Sequence, residues 1–158
     1  MKISRNRDAL KFFQNFIYQM IDVGGENLPK SISTSLGARL GKMLKERGFL
    51  GVESSLKKIY NVLNAKTKIK TITDKPKTLD ITLKYSNKFC PIGGKFNPDK
   101  ARIIQNTICI PYTAAILNSF NPEFSYESEI LECILSSNNK HCRYKLILKP
   151  KVSSENSD

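Results

Sequence analysis

Apolar positions keep a helical period through the first third of this chain and an alternating period in much of the rest. From Arg7 to Val23, Leu10, Phe13, Ile17, Met20 and Ile21 recur at spacings of three and four, which predicts an amphipathic helix. Phe12, Phe16 and Tyr18 widen its apolar surface, so this helix is expected to be well buried. Gly24-Gly25 ends it. Pro29 suits the first turn of a second helix, read from about Ser31 to Arg47, with Leu36, Leu40, Met43 and Leu44 as its stripe. Gly37 and Gly41 sit on a single face of that helix. A glycine inside a helix costs about 1 kcal/mol against alanine. Two of them imply the close approach of another helix or strand. Gly48 stops the second helix, and a third runs from Val52 to Leu63 with Leu56, Ile59, Tyr60 and Leu63 inward.

The period then changes. Lys66 to Ile72 alternates like a strand, and so does Thr78 to Ser86, with Leu79, Ile81, Leu83 and Tyr85 on one face. Asp74-Lys75-Pro76-Lys77 is the turn between them. Pro91 and Gly93-Gly94 make Phe89 to Lys95 a loop. Asn97 caps the next helix and Pro98 opens it; it runs to Phe120, with Pro111 kinking or interrupting it. Two further strands, Phe124 to Leu135 and His141 to Leu148, flank the turn cluster Ser136 to Lys140. On the last strand Cys142, Tyr144, Leu146 and Leu148 share the inner face, and Cys133 is grouped with Leu131 and Leu135. The order ααα-ββ-α-ββ predicts an α+β domain over residues 1–151, an antiparallel sheet of about four strands packed against helices. Residues 152–158 read as a polar tail.

Composition adds charge to this picture. The net charge is +12, mostly from lysine, in a chain that is 40% hydrophobic. Lysine, isoleucine and asparagine enrichment suits a low-GC, thermophilic or archaeal-type source. Lys66, Lys68 and Lys70 share one strand face; with Lys84, Arg143, Lys145 and Lys149 they form a candidate basic surface. Such a surface is either simply solvated or meets an anionic partner, a membrane or nucleic acid. No apolar run approaches the roughly 20 residues of a membrane span. Gln14, Asn15 and Gln19 interrupt the N-terminal apolar stretch, so a cytoplasmic protein is expected.

All four cysteines, Cys90, Cys109, Cys133 and Cys142, lie in the second half. A symmetric hairpin loop sets Cys133 opposite Cys142, with Cβ atoms about 4.5–5.5 Å apart. That separation suits two thiolates on one metal or a disulfide, and burial as free thiols is the plainer outcome. A reducing compartment disfavours the disulfide. Catalysis has no motif: His141 is the single histidine and lacks a triad, Gly93-Gly94-Lys95 lacks P-loop spacing, and Asp80, Asp99, Glu123, Glu127 and Glu129 are scattered. A non-enzyme is expected.

Three stretches carry a family likeness. Ser35-Leu36-Gly37-Ala38-Arg39-Leu40-Gly41-Lys42-Met43-Leu44 is a glycine-containing early helix, and Cys109-Ile110-Pro111-Tyr112-Thr113-Ala114-Ala115 a cysteine-led late helix. Cys133 through Cys142 and Arg143-Tyr144-Lys145-Leu146 form a closing hairpin. Together they resemble the 4-vinyl reductase domain family, which includes hydrocarbon-binding sensor domains and shares its fold with the Bet-type subunits of the TRAPP vesicle-tethering complex. The resemblance implies a structural zinc on Cys109, Cys133 and Cys142, together with a glutamate three residues before the hairpin's first cysteine. Ile130 occupies that place here, flanked by Glu129 and Glu132. Glu129 lies roughly 13 Å along the strand from Cys133. Cys90, in a loop entering the helix that carries Cys109, is therefore the favoured fourth ligand of a closed tetrahedral site, with His141 an outside candidate.

The resemblance implies a non-catalytic domain that binds or senses an apolar, hydrocarbon-like small molecule between sheet and helices. Phe12, Phe16, Tyr112 and Ile116 are candidate pocket residues, and a homodimer is the default assembly. Its alternative is a TRAPP-like scaffold or tethering protein that works through a protein partner, dimerisation and an anionic membrane surface; there the Gly37/Gly41 stripe would serve subunit pairing. A nucleic-acid-associated regulator is a third and weaker reading.

Overall fold

The computed structural model describes residues 2–152, with side chains from residue 8 onward. The polar tail beyond residue 152 lies outside the described residues. Strands β1 (Lys66–Asp74), β2 (Lys77–Lys84), β3 (Phe124–Glu132) and β4 (His141–Pro150) form one antiparallel sheet in the order β1-β2-β4-β3. Each hairpin joins sequence neighbours, and the β2–β4 ladder, from Lys77↔Leu148 to Lys84↔His141, welds the two together. Alternation sets one face: Leu79, Ile81 and Leu83 lie opposite Leu146, Tyr144 and Cys142. Helices α2 (Asn27–Glu46), α3 (Val52–Val62) and α5 (Ile110–Phe120) cover that face, burying Leu44, Leu56, Ile59, Ile116 and Leu117 against it. This is the α+β order that the patterning predicts. Among the described residues, no helix is long and apolar enough to cross a membrane.

Gly37 and Gly41 exist for the α2–α5 contact. A Cβ on Gly37 would sit 2.5 Å from the Tyr112 carbonyl oxygen, and one on Gly41 would sit 2.2 Å from that of Ile116. The close approach implied by the two glycines is thus made within the chain. The stripe is already occupied and is not a surface for subunit pairing.

Helix α1 (Lys2–Gly24) turns a different face inward from the one its apolar pattern predicts. Gln14, Ile17, Tyr18 and Ile21 meet the domain, while Phe12, Phe13 and Phe16 are 67%, 60% and 59% exposed. The physical reason is polar. Gln14 Nε2 donates to the carbonyls of Cys90 and Pro91, each at 3.2 Å, and the Tyr18 hydroxyl donates to the Gly93 carbonyl at 2.6 Å. Those bonds satisfy the backbone of the Phe89–Lys95 loop and set the rotation of the helix at the expense of its aromatic face.

Pro111 does not interrupt the late helix. α4 (Pro98–Ile104) passes into a π-helical turn over Gln105–Cys109 and on into α5. A proline ring crowds the carbonyl four residues back, here Thr107, and supplies no N–H. The wider turn absorbs both defects, with the Ile110 N–H reaching back to the Gln105 carbonyl. The Thr107 hydroxyl donates to the Ile103 carbonyl at 2.7 Å.

The closing hairpin also departs from the simple reading. The third strand ends at Glu132 rather than Leu135, and α6 (Ile134–Ser137) makes one helical turn where a strand end and loop are expected. Ladder partners run Ile130↔Tyr144 and then Glu132↔Arg143, so Leu131 is an extra residue on β3. This bulge reverses the parity of the strand. Cys133 therefore shares the inner face with Tyr126, Ser128 and Ile130, and not with Leu131.

Candidate functional site

The bulge delivers Cys133 to the inner face, and the Glu132↔Arg143 pairing sets it against Cys142 on β4. The π-helical turn presents Cys109 and Gln105, and the Gly94 loop presents Cys90. All four thiols border one cavity between the sheet and the late helix. Its volume is about 80 Å³, and it is partly open to solvent. Tyr60, Tyr85, Tyr112, Tyr144, Ile92 and Ile110 are among the other residues of the wall. The polar part of the lining is small.

Each flank is held by specific bonds. Cys90 and Gly94 exchange two backbone hydrogen bonds, 2.8 and 2.9 Å, and the Gly93 N–H donates to Cys90 Sγ at 3.3 Å. The Asn97 N–H donates to the Leu135 carbonyl at 2.9 Å, tying the start of α4 to α6. Deeper in, Tyr60 and Tyr144 share a hydroxyl–hydroxyl bond of 2.7 Å, and the Thr113 hydroxyl lies 3.3 Å from that of Tyr60. Both tyrosines are buried, and burial holds their hydroxyls protonated, that of Tyr60 up to about 12. Tyr85 is raised in the same way by burial.

The thiols divide into two kinds. Burial raises Cys109 and Cys90, the latter partly offset by the Gly93, Ile92 and Gly94 backbone N–H groups. The neighbouring Cys142 side chain holds the Cys133 thiol below the ordinary cysteine range. The Gln105 amide and the Leu135 and Ser136 N–H groups add to this. Cys142 is pushed up correspondingly by its neighbour Cys133 and by burial. The Ile134 N–H approaches Cys142 Sγ at 3.5 Å.

A zinc ion implied by resemblance needs donors converging on one point. Among the described residues no group of three His, Cys, Asp or Glu side chains is placed to hold a metal ion. The four thiols surround a space rather than close on a centre. The substitute carboxylates are engaged elsewhere: Glu132 with His141, and Glu129 with Lys145 at 3.6 Å. The donor set as it stands does not fit a closed tetrahedral zinc.

Of the predicted pocket residues, Tyr112 lines the cavity. Ile116 is buried in the core beyond it, at 1% exposure, and Phe12 and Phe16 are on the outer side of α1. Gln105, Tyr60, Tyr144, Ile92 and Ile110 line the cavity without having been read as site residues. Ile92, Gln105, Ile110 and Tyr144 carry one sequence signal, proximity to Cys90, Cys109 and Cys142, and Tyr60, far from any cysteine, carries none.

The basic surface is smaller than its residue count. Lys66, Lys68, Lys70 and Lys84 lie on the outer sheet face, in register with Thr82, Asp80 and His141. Arg143 is held by Asp80 through two bonds, 2.9 and 2.7 Å, Lys145 by Glu129 and Lys149 by Glu127 at 2.7 Å. Among the described residues Lys66, Lys68, Lys70 and Lys84 make no ion pair, whereas Lys77 on β2 meets Glu53 at 3.9 Å.

No family model matches the chain, and no curated protein sequence matches it. Solved structures do. The fold is similar to that of a trafficking protein particle complex subunit 3 from Naegleria fowleri covalently bound to palmitic acid. That match has a TM-score of 0.62 and 12% identity over 94% of this chain and 97% of that one. It is also similar to the phenol-responsive sensory domain of the transcription activator PoxR with phenol, at a TM-score of 0.50 and 12% identity over 82% of this chain and 69% of that one. These likenesses show a fold shared by a TRAPP subunit and a sensory domain.

Proposed function

We propose that this protein is a non-catalytic binding or sensing domain for a small apolar ligand, held in the cavity between the sheet and the late helix. The observation that carries it is that cavity: enclosed on most sides, almost wholly apolar, and left unfilled in a domain whose other half is tightly packed. Ligand sites have this character, an apolar wall with few polar groups. The two structural neighbours, one with phenol and one with palmitic acid, support the reading. Size narrows it. A cavity of about 150 Å³ takes benzene, and this one, at about 80 Å³, must widen modestly for one aromatic ring and far more for a long chain. A compact ligand is favoured. Thermal melts against phenol, cyclohexanone and palmitate test this: a concentration-dependent rise with the compact pair is expected, and Ile110→Trp, which fills the space, should remove it. Indifference of the wild-type protein to all of them overturns the proposal.

A second reading, a TRAPP-like scaffold at an anionic membrane, draws on the four lysines outside any ion pair and on the fuller overlap with the TRAPP subunit. Exposed Phe12, Phe13 and Phe16 favour self-association as a homodimer under either reading. Flotation with phosphatidylserine vesicles separates the two, since binding that is lost with 0.5 M salt belongs to the lysine face.

A further inference from the structure

The cavity has one concentrated polar feature, where it meets the packed core. Tyr60, Thr113 and Tyr144 all border it there, at 8%, 8% and 4% exposure. Their hydroxyls form a chain: that of Tyr60 lies 2.7 Å from that of Tyr144 and 3.3 Å from that of Thr113. Three O–H groups thus share two hydrogen bonds, and each bond uses one proton. Whichever way the donors point, one proton is left over. The 3.3 Å link is long for two hydroxyls, so the surplus is at least one. Among the described residues these hydroxyls make no other hydrogen bond. A buried donor without an acceptor is costly, whereas an oxygen carries two lone pairs and tolerates an idle one. Water is a poor remedy, because a buried water makes about three hydrogen bonds, and this wall is almost wholly apolar.

We propose that the preferred ligand of this cavity is a compact neutral molecule whose polar atom is a bare hydrogen-bond acceptor, a cyclic ketone or ether, and that this atom ends the Tyr144–Tyr60–Thr113 hydroxyl chain. This rests on the cavity being a ligand site and names the chemistry it selects. A ketone oxygen brings no proton of its own, so three donors then have three acceptors. An alcohol or phenol brings a fourth proton with its oxygen, and an open chain of four hydroxyls again ends on an unmet donor. Such a ligand is admitted but gains less. A hydrocarbon leaves the surplus as it was. A carboxylate accepts too, but burying its charge among uncharged hydroxyls costs far more than one hydrogen bond returns. The apolar remainder of the wall, Ile92 and Ile110 included, suits the methylenes of a single ring.

The experiment uses the full chain with two probes of one shape, cyclohexanone and methylenecyclohexane, which differ only in a C=O against a C=CH2 group. The carbonyl carbon resonance of bound cyclohexanone should lie downfield, where it stands in an alcohol, and not where it stands in hexane. Cyclohexanone should also bind more tightly than cyclohexanol. The variant Tyr60→Phe/Tyr144→Phe/Thr113→Val removes all three donors and keeps their shape. In it cyclohexanone should bind about tenfold more weakly, the loss expected when a buried acceptor is left unpaired, while methylenecyclohexane binds no worse. The proposal is overturned by a hexane-like resonance in the wild-type protein, by tighter binding of cyclohexanol, or by an equal change for both probes in the variant. The wild-type resonance decides even if the variant fails to fold. Binding of both probes with a hexane-like resonance sinks the acceptor and keeps the ligand-binding reading; binding of neither removes both.

Discussion

The two ends of the inner sheet face are built on the same strands and end differently. At one end Leu79, Leu146, Leu148, Ile116, Leu117 and Phe120 interlock and are nearly all sealed from solvent. At the other, β2 and β4 continue into Leu83 and Cys142, the overlying helix loosens into a π-helical turn, and a cavity remains. Branched aliphatic side chains fill the space between sheet and helix, and a thiol is too short to do so. The difference shows how a domain stabilises itself and still keeps room for a guest: the packed end supplies the cohesion, and the cysteine end is left underfilled. The π-helical turn separates them, and Pro111 requires it.

The contrast is broken most sharply by truncation to alanine at each end. Leu146→Ala should cost about 3 kcal/mol in urea denaturation, as for other fully buried leucines in tight cores. Cys109→Ala, which only enlarges an existing space, should cost about 1 kcal/mol, near the transfer value of one methylene-sized group. Equal losses would mean that the cysteine end is packed as tightly as the leucine end. Next in size come the glycines of α2, one at each end. Gly41→Ala drives a Cβ into the Ile116 carbonyl and Ser119 at the packed end, and should cost about 2 kcal/mol by overpacking. Gly37→Ala meets the Tyr112 carbonyl oxygen at 2.5 Å and the Ala115 Cβ at 3.0 Å, a backbone clash milder than the 2.2 Å one at Gly41, and should cost somewhat less. Reversal of that order would place the rigid end at the cysteines.

Much of this architecture was legible in the sequence. The alternation of Leu79, Ile81 and Leu83 and of Cys142, Tyr144, Leu146 and Leu148 gave the inner face directly, because a strand has one period and one face is buried. Gly37 and Gly41 gave a close contact, though not its partner. The rest failed for identifiable reasons. In α1 apolar residues surround most of the helix, so periodicity could not choose a face, and Gln14 and Tyr18 chose it through long-range bonds to the Cys90 loop. The Leu131 bulge inserts one residue and reverses every side chain after it, which no local pattern records. Seven basic residues look like one surface until Asp80, Glu129 and Glu127, close in space and distant or unmatched in sequence, are seen to hold three of them. The cysteines were singled out and do meet, but their spacing could not tell a ring around a space from a cluster around a point.

The seam between the two ends carries the smallest prediction. Tyr60 and Tyr144 stand where the packed core gives way to the cavity, their hydroxyls 2.7 Å apart and sealed from water. An unfolded tyrosine ionises near pH 10. Burial lifts Tyr60 to about 12 and Tyr144 well above its ordinary value. A folded pKa above the unfolded one means that the unfolded chain releases the proton first. Stability from these hydroxyls is therefore intact below about pH 10 and declines as pH rises from there toward the folded values. Melting curves between pH 8 and 11 should fall more steeply for wild type than for the Tyr60→Phe/Tyr144→Phe double variant. At pH 8 the double variant should lose only about 1 kcal/mol, because both partners of the bond are removed together and neither is left buried and unpaired. A single Tyr60→Phe should cost more than the pair, since it strands the Tyr144 hydroxyl beside an apolar wall. If the single and double variants melt alike across this range, water reaches the seam, and the cavity extends further toward the packed end than its walls indicate.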